Sequence, residues 1–91
     1  MLIDKNVVNH FEKEFDERKK VIEAITAIVK GTAFERIPTL RFYEKLHLGL
    51  TYVDEYIESV YDAFKYADKN IVEEHKKDFD VIEEFVNNKN N

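Results

Sequence analysis

The 91-residue chain has no cysteine and no tryptophan, one proline and only two glycines. Without cysteine there is no disulfide framework, no zinc–thiolate centre and no thiol nucleophile. So little glycine and proline leaves too few turn residues for a many-stranded sandwich or barrel. The two glycines, Gly31 and Gly49, are isolated and cannot build a glycine-rich phosphate loop. The sole serine, Ser59, lies in an apolar-periodic stretch with no G-x-S-x-G elbow, and reads as a small packing residue. No apolar run approaches the ~18 residues of a membrane span. The opening stretch MLIDKNVVNHFEKEFDE carries an acid at position 4 and no continuous apolar segment, unlike a signal peptide. The expectation is one cytoplasmic domain over 1–91, with no membrane association.

What the chain does have is apolar content and charge. Hydrophobic residues make up 44%, with seven Phe and five Tyr, which is enough to close a core. Nineteen acids against 14 bases give a net charge of −5, a field that argues against nucleic-acid and anionic-lipid partners. The charges read as a solvated, two-signed surface. Arg36, Arg41, Lys45 and His47 come close together, and Asp54, Glu55, Glu58 and Asp62 follow.

The periodicity is helical. Asp4 is placed to cap a first helix, after which Val8, Phe11, Phe15, Arg18, Ile22, Ile25 and Val29 recur at spacings of three and four. Gly31 can close it. Thr32 to Glu35 has the form of a capping box, and Pro38 limits it to a short turn of helix at 32–37. In the next stretch Leu46, Leu50, Val53, Ile57, Val60 and Phe64 form one stripe. A second, of Gly49, Tyr52, Tyr56, Ser59, Ala63 and Tyr66, runs beside it and predicts a wide buried face. Ala67-Asp68-Lys69 reads as a break, and Asn70 with Glu73 as a further cap. Val72, His75, Phe79, Ile82 and Val86 line a last helix, and 87–91 form a polar tail expected to fray. Arg18 should lie along the core edge with its head directed out to an acid.

One segment carries a competing pattern. Leu40, Phe42, Leu46, Leu48, Leu50 and Tyr52 all occupy even positions, which is strand alternation, but Glu44 breaks it and no Asn-Gly or Asp-Gly turn is present. Helix is the reading preferred. Ile37-Pro38-Thr39-Leu40-Arg41-Phe42, followed by Val53-Asp54-Glu55 and Ile57, resembles the carboxy-terminal segment of the ribosome-binding factor A family. There an x-Pro-x-Leu-x-Phe strand leads into a short helix of a KH-like fold. That family also needs two strands between its first helices, and residues 4–30 leave no room for them. The resemblance is set aside, and no family is assigned.

Few residues could carry chemistry. Glu44-x-x-His47 has the i, i+3 spacing of carboxylate-bridged di-iron bundles, but neither His10 nor His75 completes a second such pair. Arg41 and His47 match the R-x4–6-H spacing seen in HEPN-type ribonucleases, with Phe42 where a polar residue usually follows the arginine. These give the alternative reading, a metal-binding or RNA-acting helical protein using Glu44/His47 or Arg41/His47.

The reading adopted is an all-α, up-down-up bundle of three helices at about 4–30, 39–67 and 70–87. At 1.5 Å per residue the third helix falls ~12 Å short of the other two, leaving apolar groove open near Phe34 to Leu48. A protein partner, most simply a second copy forming a homodimer, is expected to cover it through Leu40, Phe42, Leu48, Tyr52, Tyr56 and Tyr66. The function expected is that of a small acidic protein–protein interaction module of the regulator, inhibitor, immunity or antitoxin-like kind. No catalysis, cofactor or metal is assigned.

Overall fold

Residues 4–67 and 69–90 are described by a computed structural model. Among them are five helices and no strand: α1 (Lys5–Val29), α2 (Ile37–Leu48), α3 (Leu50–Ala67), α4 (Lys69–Glu74) and α5 (Lys76–Asn90). The all-α expectation holds, and residues 39–52 are helical apart from Gly49.

Asp4 caps α1 by accepting the Asn6 N–H at 2.8 Å, so one of the helix's orphan donors is satisfied by a carboxylate. The helix ends where expected. Gly31 adopts φ +82°, the left-handed conformation that lets a chain turn away from a helix. The Thr32 hydroxyl donates to the Val29 carbonyl at 2.6 Å and accepts the Phe34 N–H at 3.1 Å. Residues 30–36 are therefore turns, without the helical turn expected there. Pro38 sits in the first turn of α2, where a missing N–H removes no helical bond.

The second expected helix is two helices. Gly49 takes φ +134° and ψ 161°, a region that is essentially glycine-only. Its N–H reaches the carbonyls of Lys45 and Leu46, and its carbonyl accepts from Tyr52 and Val53. One residue thus closes α2 and opens α3. α2 runs back along α1, with Thr39, Phe42 and Tyr43 beside Lys19, Ile22 and Thr26, and the Phe42 ring 5.5 Å from that of Phe15. α3 then returns in the direction of α1. Asp54 meets Arg18 near its start, and Tyr61 stacks on Phe79 of α5 at 5.3 Å further along.

The last pass runs down again through α4 and α5. His75 interrupts it, but backbone bonds from His75 to Ile71 and from Phe79 to His75 carry the helical pattern across. Asp68 lies outside the described residues, and Asn70 falls inside the first turn of α4. α5 continues to Asn90, past the end expected near 87, and Lys89 Nζ lies 3.5 Å from Asp54 and 3.9 Å from Glu14; Asn91 lies outside the described residues.

The result is four passes, up-down-up-down, in place of three. α1 and α3 form the middle pair, with α2 against one side and α5 against the other. Phe42, Ile25, Ile57, Ile82 and Val53 fill the core with almost no exposure. The stripe of Leu46, Val53, Ile57, Val60 and Phe64 faces this core from both arms of the hairpin, so its periodicity survives the reversal between them. Val8 and Phe11, expected on the core face, are exposed. α5 ends level with Glu14 and leaves the first turns of α1 uncovered.

Two substitutions test this packing. Ile57→Ala should cost about 2–5 kcal/mol in urea unfolding, against a small effect for the exposed control Lys76→Ala. A Cβ at Gly49 would meet only Tyr52 Cδ2, at 3.8 Å, so the cost of Gly49→Ala is conformational. It should destabilise by about 1–3 kcal/mol. Equal midpoints for Gly49→Ala and wild type would contradict the reversal at that residue.

Candidate functional site

The two stripes read from the second helical stretch have separate fates. The first faces inward, with Val53 and Ile57 buried and Leu46, Leu50, Val60 and Phe64 half-buried. The second, expected to widen the buried face, lies mostly at the surface: Tyr52, Ser59, Ala63 and Tyr66 are exposed, and Gly49 and Tyr56 are half-buried. α3 packs on α1, α2, α4 and α5, and among the described residues its outer side is left exposed.

The six residues expected to make contacts are not all together. Leu48, Tyr52 and Tyr56 gather round the hairpin turn. Leu40 is 66% exposed on the outer side of α2. Tyr66, 78% exposed, stands 14 residues along α3 from Tyr52, or about 21 Å at 1.5 Å per residue. Phe42 is corrected. It is 1% exposed, packed against Phe15 and Tyr43, and belongs to the core. Its place on the buried side of α2 follows from the i, i+4 relation to Pro38 and Leu46, which also face inward.

The exposed strip has charged borders of opposite sign. On the α2 side stand Arg41 and Lys45. Burial pushes the Tyr56 hydroxyl to a raised pKa, which the nearby Arg41 charge partly offsets. On the far side of α3 stand Glu55, Glu58 and Asp62, all exposed. A hollow of about 270 Å³ lies over the strip, with Lys45 on one wall, Glu55 on the other, and Tyr52, Tyr56 and Ser59 between them.

A buried ion cluster sets which side of α3 faces out. Arg18 is 1% exposed, where an edge position had been expected. Its Nε and Nη2 donate to the two Asp54 carboxylate oxygens at 2.7 and 3.0 Å, and Nη1 donates to the Glu14 carbonyl and carboxylate. The guanidinium also lies 5.4 Å from the centre of the Phe85 ring. Burial alone would lower the guanidinium pKa. The bonds to Asp54 and Glu14 outweigh it, so the proton is held more tightly than usual. The Arg18 hydrogen bond draws the Glu14 carboxyl below its ordinary value, against the opposing effect of burial.

The alternative residues are committed elsewhere. Arg41 Nη1 donates to both Glu44 carboxylate oxygens at 3.1 Å, so the acid proposed as a ligand and the arginine of the R-x4–6-H spacing bind each other. His10 and His47 are exposed and His75 is half-buried at the helix interruption. Among the described residues no cluster of His, Asp and Glu is arranged to hold a metal ion. No described helix is long and apolar enough to cross a membrane. A larger hollow of about 580 Å³ runs between α1 and α5, but its lining mixes Glu14, Glu17 and Glu84 with Lys20 and Lys89 around Val81 and Phe85.

Compared with protein-family models, curated proteins and solved structures, the chain matches none.

The cluster makes two expectations. Asp54→Ala leaves a buried guanidinium short of its bidentate partner and should cost about 3 kcal/mol. Because the folded-state pKa of Glu14 is depressed, its contribution is present above the ordinary carboxylate value and lost as pH falls through the lower folded value. Urea midpoints should therefore drop on the acid side, and less steeply in Glu14→Gln. Identical acid-side slopes would remove Glu14 from the account.

Proposed function

We propose that this chain is a non-catalytic, cytoplasmic protein–protein interaction module that self-associates through the outer face of the α2–α3 hairpin. One observation carries the reading: Tyr52, Ser59, Ala63 and Tyr66 have the periodicity of a packed helix face, with Leu48 exposed beside them at the end of α2, yet all are exposed among the described residues. Tyrosine suits such a surface, since it offers apolar area with few rotamers to freeze and keeps a polar tip for water or a partner. The small residues Ser59 and Ala63 allow another backbone to come close. Leu40 adds apolar surface on the neighbouring arm. Burial of about 800 Å² per copy would make a stable pair. Regulators, inhibitors and immunity or antitoxin-like factors work through surfaces of this kind.

Sedimentation tests it. The wild-type chain should show twice its mass at micromolar concentration, and Leu48→Glu should show one. Val81→Glu, in the α1–α5 groove, should leave the mass doubled. A wild-type monomer throughout, or a doubled mass for Leu48→Glu, would overturn the proposal.

A further inference from the structure

We infer that the two copies meet with their α3 helices side by side and parallel, so that the basic border of each strip lies on the acidic border of the other. The inference rests on the self-association proposed above and specifies its geometry.

Lys45 on α2 and Glu55 on α3 line the same hollow; they lie four residues before and six residues after the reversal at Gly49, which puts them within about one helical turn of each other along the strip, on its two sides. Arg41 lies one turn further along the basic side, with Glu44 behind it 3.1 Å from Arg41 and 3.8 Å from Lys45, so two bases against one acid leave that border net positive; Glu58 lies about one turn further along the acidic side. Two copies can face each other through this strip about a two-fold axis along the strip or across it.

An axis along the strip exchanges left and right and keeps height. It lays Lys45 of one copy opposite Glu55 of the partner subunit, and the same contact recurs by symmetry on the other side. An axis across the strip keeps left and right and reverses height, so it lays basic border on basic border and acidic on acidic. Like charges brought together at an interface rim cost association, and opposite charges steer it. The charge pattern therefore selects the parallel arrangement. It also places Tyr52 against its own counterpart at one end and Tyr66 against its counterpart at the other. Ser59, midway between them on the outermost side of α3, gives the close approach that helix axes 8–10 Å apart require.

The natural absence of cysteine makes the geometry easy to read. Tyr52 and Tyr66 are exposed, so Tyr52→Cys and Tyr66→Cys should fold as the wild type does, which thermal melts verify. Under mild oxidation each single variant should cross-link to itself, because a disulfide needs Cα atoms within about 7 Å. Cross-linking only in a mixture of the two variants would show antiparallel helices and overturn the inference. The sedimentation mass would still report whether self-association stands.

Charge reversal gives an independent reading. Lys45→Glu and Glu55→Lys should each weaken association by about tenfold or more, since each sets like charges across both symmetric contacts. The double variant Lys45→Glu/Glu55→Lys restores opposite pairs only in the parallel geometry, and should recover dimerisation. A double variant as weak as the singles would overturn the pairing, whatever the mass of the wild type.

Discussion

The Arg18 guanidinium ties together three of the four passes of the chain. It projects from α1, takes both oxygens of Asp54 on α3, is held by Glu14 one turn back on its own helix, and lies over Phe85 of α5. A charge this deeply buried is tolerated only when its donors are matched, and here the fork of the guanidinium meets a carboxylate of fitting geometry. The pair also fixes the rotation of α3 about its axis. With Asp54 turned to α1 and α5, Val53 and Ile57 must enter the core, and the side bearing Tyr52, Ser59 and Tyr66 must face away from it. The exposed strip is thus a consequence of how the core is pinned.

The second constraint is Gly49. Its positive φ lets a single residue end one helix and start the next, so α2 and α3 lie side by side. Sequence neighbours that would have been strung along one rod become lateral neighbours. The basic residues before Gly49 and the acidic residues after it, a mixed surface in linear order, are sorted onto the two borders of one face.

Much of the architecture was legible in the residues themselves. The stripe from Leu46 to Phe64, the cap at Asp4, the left-handed Gly31 and the buried series Phe79, Ile82 and Val86 all read correctly because each rests on local geometry. The reversal did not, because both arms of a helical hairpin bury the same side and leave the three-four spacing unbroken across the turn. Its only local signal was a glycine in mid-pattern, with Lys45 and His47 just before it as suits a helix C-terminus. Phe42 has a different cause: it lies four residues before Leu46 on the same stripe, but a third helix too short to reach it left that end of the seam reading as open groove. Arg18 looked like an interruption of an apolar face, since nothing local shows that Asp54, 36 residues away, will meet it. For the candidate surface the spacing identified the strip of Tyr52, Ser59 and Tyr66, while its exposure depended on how many neighbours α3 acquires.

The central claim, that the outer face of the α2–α3 hairpin is the contact surface, is tested most directly by following backbone amide chemical shifts through a dilution series. The account predicts that Leu48, Tyr52, Ser59 and Tyr66 move as the chain is concentrated, with Lys45 and Glu55 beside them, while Val81 in the α1–α5 groove and Phe11 on the overhanging turns of α1 stay fixed. Movement confined to Val81 or Phe11, with the hairpin unchanged, would contradict it.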